Sequence, residues 1–434
     1  MAKPSPFSKI RPSPVVGWAD MDFSTYRKAF MNRRMAVMPF LGFSSGLPLA
    51  LTAGTLQAWM AVAGINIRTI GLFALVGLPY TIKFLWAPLM DRFVPPFLGR
   101  RRGWIVITQA VLLACIATMA GSSPTADPAI FAALAVATAF ASASQDIVVD
   151  AYRTDILREE ERGAGVAVFV TGYRVAMLVS GAMALILSDH IGWRNTYLLM
   201  AALMAVGTVA AILAPEPETN AAPPRTLGDA IINPLKNFLL RDKAAAMLML
   251  IILFKLGDAY AGTMTTPFLI RGVGFSPSDV GIVNKGFGLA SLIAGAMIGG
   301  AMMVRLGLYR SLMIFGALQG VSILSFMLVA WAGKSYPTMV FAVGLENLCG
   351  GMGTAAFVAL LMALCNASYS ATQFALLSSL ASLGRVFIAP TSGMVVESVG
   401  WGEFFFLASM TSLPGLFMLW SLKEQVLKLE HMKR

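Results

Sequence analysis

Apolar residues run along this chain in long blocks, each broken by a few polar or charged positions. Blocks at about 35–60, 67–90, 104–121, 128–152, 163–188, 194–214, 244–270, 278–304, 311–332, 337–365, 372–396 and 402–421 can each form a helix that crosses a bilayer, which takes roughly 20 residues. The blocks are apolar all round rather than along one stripe, so they read as helices in lipid or in a bundle. Lipid demands helices there, because the backbone must find its hydrogen bonds within the segment. The longest polar gap, about 215–243, holds Pro215, Pro217, Pro223 and Pro224 and splits the twelve spans into six and six. Residues 1–34 are polar, Pro-rich and basic. They do not read as a secretory signal, because the first apolar block starts well downstream and is too long for a signal core.

Composition agrees. Hydrophobic residues make up 57% and charged residues 13%, against roughly 45–50% and 25% in soluble domains. A soluble globular fold and a disordered chain are both excluded. The net charge of +11 would suggest a nucleic-acid partner in a soluble protein. Here its distribution follows the positive-inside rule instead. Of 33 Lys and Arg, 24 fall on the face that carries both termini, and only Arg68, Arg194, Arg271 and Lys334 fall on the other. Both termini are therefore expected in the cytoplasm. The expected organisation is a cytoplasmic tail (1–34), a six-helix bundle (35–214), a cytoplasmic linker (215–243), a second six-helix bundle (244–422) and a cytoplasmic tail (423–434).

The two halves echo one another. Span four carries Gln145-Asp146 and span ten carries Glu346-Asn347. Span five carries Arg174-Val175 with Ser180-Gly181 behind, and span eleven Arg385-Val386 with Ser392-Gly393. Such repeats, with ionisable groups at matching depths, mark secondary transporters. Spans one and seven are rich in helix breakers: Gly42, Gly46, Pro48 and Gly54 in one, Gly257, Gly262 and Pro267 in the other. Breaks in corresponding spans point to the helices that line the solute path.

Nine ionisable residues fall inside spans: Lys83, Asp146, Asp150, Arg174, Lys255, Asp258, Lys285, Glu346 and Arg385. Each costs roughly 2.5–3.5 kcal/mol at mid-bilayer on insertion scales. Such a load is tolerated where the groups face a wet cavity or one another. Structural ion pairing is the rival explanation, and it suits Asp150, one turn before Arg153. Lys83 is close enough to the inner loop to snorkel. Asp146, Asp258 and Glu346 are the candidate proton carriers. Arg174, Lys255, Lys285 and Arg385 are candidate ligands for solute carboxylates, since Arg offers a bidentate clamp and Lys a point charge. Gln57, Gln145, Asn284, Asn347 and Gln373 could bond hydroxyls and amides.

No catalytic or metal-binding set is apparent. His190 and His431 lie near segment ends, the three cysteines sit in apolar runs, and no phosphate-binding glycine loop occurs. No enzyme activity, cofactor or metal is expected, and transport must draw on an ion gradient or on the solute's own.

The loop after span two reads Asp91-Arg92, then Gly99-Arg100-Arg101-Arg102. It resembles the inner-loop signature of the major facilitator superfamily, with Ala87 in place of the first Gly and an insertion at Pro95-Pro96. A faded copy follows span eight at Gly300, Arg305, Gly307 and Arg310, with Val304 where the Asp would be. The resemblance implies a gating role for Asp91 and Arg92 at the cytoplasmic edge.

Longer strings resemble the AmpG-type muropeptide permeases of Gram-negative inner membranes. They include Lys83-Phe84-Leu85-Trp86-Ala87-Pro88-Leu89-Met90-Asp91-Arg92 and Ser144-Gln145-Asp146-Ile147-Val148-Val149-Asp150-Ala151. In the second half they include Lys255-Leu256-Gly257-Asp258-Ala259, Glu346-Asn347-Leu348-Cys349-Gly350-Gly351-Met352-Gly353 and Ala371-Thr372-Gln373-Phe374-Ala375-Leu376-Leu377-Ser378. The likeness covers about residues 35–420. Some members are longer and carry extra helices, whereas twelve spans are counted here. It implies a proton-coupled importer, acting as a monomer, of N-acetylglucosaminyl-1,6-anhydro-N-acetylmuramyl peptides for wall recycling, whose cargo also feeds β-lactamase induction. Three alternatives stay open: a transporter of a CoA ester or other anion, a non-transporting assembly factor, and an enzyme acting on a lipid-linked sugar.

Overall fold

The computed structural model describes residues 32–87, 90, 93–157, 162–216, 243–364 and 377–431. Among them every regular element is helical. The helices are α1 (Arg33–Val62), α2 (Ile67–Ile82), α3 (Arg100–Gly121), α4 (Pro128–Ile156), α5 (162–191) and α6 (193–213). The second set is α7 (Ala244–Gly272), α8 (Pro277–Leu306), α9 (Leu308–Ala332), α10 (Tyr336–Leu364), α11 (Leu377–Val399) and α12 (Trp401–Ser421). The α5–α6 stretch is continuous apart from Gly192, whose φ of 78° turns the chain back. Only glycine holds that geometry without strain. The expected spans agree with these helices to within a few residues, except that α2 gives way at Ile82 to a 3-10 turn (Lys83–Leu85), short of the expected end at 90, and that 372–376 lie outside the described residues.

Large apolar side chains point outward from the helices. Met297 is 72% exposed and Trp331 71%, which suits lipid and not water. The sequence left 423–434 as a tail. The structure shows a further helix there, α13 (Lys423–His431). Its Val426 is fully buried against the second bundle, and Lys423 lies 5.9 Å from the Tyr309 ring.

Each bundle is drawn together by glycines, which let helix backbones approach closely where no hydrophobic drive exists. In the first bundle the tight pair is α1 with α5: a Cβ on Gly42 would collide with the Phe169 carbonyl, and one on Gly172 with that of Pro39. In the second it is α8 with α10: Gly295 abuts the Leu348 carbonyl and Gly351 that of Leu292.

We call the face at which α1 begins and α12 ends the terminal face, and the other the distal face. The main packing between bundles joins their distal halves. There α2 and α11 run antiparallel. Arg68 pairs with Glu397. A Cβ on Gly71 would lie 2.8 Å from the Pro390 carbonyl oxygen. Gly77 faces Val386, and Thr81 meets Ser382 at 2.9 Å. Arg271 also donates across to the Ile65 carbonyl. On the α5–α8 side, Gly281 would place a Cβ 2.7 Å from the Ala182 carbonyl oxygen. Among the described residues no comparable packing joins the terminal halves.

Candidate functional site: a charged cavity between the bundles

Below the distal seal lies a cavity of about 570 Å³, within the roughly 300–1,000 Å³ of small-ligand sites. Side chains of α1, α2, α4, α5, α7, α8 and α11 line it. Span ten was expected there too, but contributes no lining residue.

Irregular backbone builds the site. Helix α1 breaks at Ala53, whose φ of −126° and ψ of −109° lie outside the helical range. The carbonyl of Leu51, freed by the break, accepts from the buried Tyr197 hydroxyl at 3.0 Å. That satisfies a group lipid would leave orphaned. The break puts Thr52, Gly54 and Gln57 on the cavity wall. Helix α7 breaks at Lys255, with φ −99° and ψ 6°. Lys285 sits in a π-helical stretch of α8 (Gly281–Phe287), and Arg385 in one of α11 (Gly384–Ile388). π-Helical turns recur at functional sites because the extra residue re-aims the side chains around it.

In the second bundle the charges are connected. Lys255 Nζ lies 3.3 Å from Asp258 Oδ2 and donates to Thr354 Oγ1 at 2.9 Å. Arg385 is a second charge partner of Asp258. Glu346 lies against Asp258, with Lys255 and Lys285 as its cationic neighbours. Lys285 Nζ donates to Thr266 Oγ1 at 2.9 Å. It also crosses to the first bundle, where a Cβ on Gly54 would lie 2.9 Å from it. In the first bundle Asp146 faces Lys83, with Tyr80 and Tyr173 beside it.

Of the residues singled out from sequence, Asp146, Asp258, Lys285, Arg385 and Gln57 line the cavity. Lys83 lines it too, rather than snorkelling away. Lys255 and Glu346 stand behind the wall, reached through Asp258. Four residues fall elsewhere. Arg174 is exposed, outside the lining, with Met177 Sδ at 3.8 Å; it stays in a regular helical turn while Arg385 is re-aimed by a π-helical one. Gln145 is fully buried and reaches back to Ser45 at 3.5 Å. Asn284 is tied to Thr266 at 3.4 Å. Asn347 is held by Glu346 and the Val343 carbonyl, both at 2.9 Å. Asp91, Arg92 and Gln373 lie outside the described residues. Asp150 pairs with Arg153 at 3.1 Å. Sequence reasoning passed over Tyr80, Thr81, Tyr173, Ser379 and Ser382, which all line the cavity. Small hydroxyls and tyrosines carry no insertion penalty large enough to flag them. Among the described residues no cluster of His, Cys, Asp or Glu could hold a metal ion.

A family model described as Major Facilitator Superfamily matches residues 38–335. The chain belongs to the major facilitator superfamily. Over 397 residues it is 54% identical to the anhydromuropeptide permease of Escherichia coli (strain K12), covering 91% of this chain and 81% of that one. A putative transporter, AmpG 4, of Rickettsia felis is 34% identical over 92% of this chain and 99% of its own length. Within the superfamily the chain is therefore a member of the AmpG-type permeases, a transporter and not an enzyme. The fold is also that of a mutant of the nucleoside transporter NupG, with a TM-score of 0.72 at 13% identity, over 90% of this chain and all of that one.

Proposed function

We propose that this chain imports anhydro-muropeptides, N-acetylglucosaminyl-1,6-anhydro-N-acetylmuramic acid and its peptides, across the inner membrane by proton symport. The imported fragments serve wall recycling and the induction of β-lactamase. The printed activity of the 54% identical relative supports the substrate. The Lys and Arg count supports a cytoplasmic terminal face, which makes the described state open to the cytoplasm. Bundles 35–214 and 244–422, joined by the 215–243 linker, rock about the cavity in a monomer.

The observation that carries the reading is the cluster of Lys255, Asp258, Lys285, Glu346 and Arg385. With both acids ionised it holds one surplus positive charge. Protonating either acid adds another, and in a low-dielectric site that strengthens the pull on a carboxylate-bearing solute. The linkage is reciprocal: bound solute carboxylate favours proton uptake by the same factor. Asp258 and Glu346 thus act as the proton carriers of the second bundle and Asp146 as that of the first. Arg385 and Lys285 receive solute carboxylates, with Lys255 holding Asp258 in place.

The test is uptake of labelled anhydro-muropeptide into right-side-out vesicles. Accumulation above the outside concentration, lost on adding an uncoupler, is expected. No uptake beyond that of vesicles lacking the protein would refute the reading.

A further inference from the structure

The cavity has a face without charge. Ser379 and Ser382 stand one turn apart on α11, with Arg385 one turn further on. All three line the cavity. Across from them on α2 is Thr81, whose Oγ1 lies 2.9 Å from Ser382 Oγ. The Ser382 hydroxyl already donates to the Ser379 carbonyl at 2.7 Å. A hydroxyl has one proton to give, so Thr81 is the donor in the Thr81–Ser382 bond. Among the described residues that leaves lone pairs on both oxygens and the whole Ser379 hydroxyl open to a further partner. Phe73 and Tyr80 border the same space.

We propose that Thr81, Ser379 and Ser382 form a carbohydrate subsite, which takes the sugar hydroxyls and acetamido groups of the solute while its carboxylates reach Arg385 and Lys285. The proposal rests on the muropeptide reading above and deepens it. Three features carry it. Hydroxyl side chains both donate and accept, as sugar hydroxyls do, so either partner can supply the proton. Small side chains leave room for a pyranose ring. Of the amides that sequence pointed to for this task, Asn284, Asn347 and Gln145 are held by their own neighbours, which leaves Gln57 on the α1 wall as the amide beside these hydroxyls. The subsite also has a mechanical consequence. Thr81–Ser382 is a hydrogen bond of the α2–α11 seam that lies on the cavity wall, so a sugar that takes over its hydrogen bonds removes one link between the bundles. The competing account is that Thr81 and Ser382 are interhelical glue, a common use of hydroxyls in membranes.

A ligand-side test separates the two. The peptide-free disaccharide and a series of its monodeoxy analogues are titrated into the purified full-length protein, wild type and Thr81→Val, Ser379→Ala and Ser382→Ala. Each variant is expected to bind the disaccharide about tenfold more weakly, the worth of one hydrogen bond in such a site. One deoxy analogue should lose about tenfold on the wild type yet lose nothing more on the matching variant, since both changes delete one bond. Wild-type affinity for the disaccharide in all three variants, or losses that simply add, would overturn the subsite. Ser379→Ala breaks no link between the bundles, so it reports even where Thr81→Val destabilises the fold. A wild type that binds neither disaccharide nor muropeptide overturns the muropeptide reading itself, a result distinct from the others.

Discussion

The two bundles share a helix order and differ in how their charges are wired. The second gathers Lys255, Asp258, Lys285, Glu346 and Arg385 into one connected set, buttressed by Thr354 and Thr266. The first offers the cavity Lys83 and Asp146, flanked by Tyr80 and Tyr173. Their glycine seams differ as well: α1 against α5 in one, α8 against α10 in the other. Symmetry of sequence therefore does not become symmetry of chemistry. A proton on one acid of the second-bundle cluster is felt by another acid and by several cations, whereas a proton on Asp146 is felt chiefly by Lys83 and Asp150. On the proposed symport, the second bundle is therefore where the larger effect on coupling is expected.

The largest effect is expected at Asp258, where Lys255 and Arg385 converge. Asp258→Asn should abolish accumulation against a gradient while counterflow exchange persists. Asp146→Asn, in the simpler bundle, should leave part of the accumulation. Equal loss in both variants would erase the distinction. Removing one partner of a buried pair costs about 3–5 kcal/mol, so thermal stability is measured alongside.

The next effect sharpens the comparison at matched positions. Arg385→Ala should raise the apparent KM for uptake by tenfold or more, as expected when a charge-assisted contact worth about 1.5–3 kcal/mol is lost. Arg174→Ala should change it by less than twofold, because Arg174 stands outside the cavity. Similar KM values in the two variants would restore the symmetric picture.

The smallest expected effect lies behind the cavity. Thr354→Val removes the second acceptor of the Lys255 ammonium. A loss of about two- to tenfold in the rate of uphill transport is expected, in line with one net hydrogen bond. Passive exchange should be unchanged.

Much of this was legible beforehand. Block length and polar gaps located all twelve spans, and intramembrane charge located Asp146, Asp258, Lys285 and Arg385. The pairing of Lys255 with Asp258 is one that a three-residue spacing on a helix allows. Rotation about the helix axis was not legible. A helix that is apolar all round has no stripe to say which side faces inward, so Gln145 and Arg174 looked as well placed as Asp146 and Arg385. The π-helical turns at Lys285 and Arg385 left no mark in the hydropathy pattern. Ser379, Ser382 and Thr81 were lost among the many hydroxyls of an apolar chain. The helix Lys423–His431 was taken for tail, because nine amphipathic residues mean little until a bundle is there to bury Val426.

The central claim, that solute and proton enter together, is tested most directly in liposomes holding the purified protein and an internal pH-sensitive dye. Labelled anhydro-muropeptide is added outside, and interior pH and internal label are followed together. The account predicts acidification that rises with the label, and none with Asp258→Asn. Entry of label at the wild-type rate with no change of interior pH would contradict it.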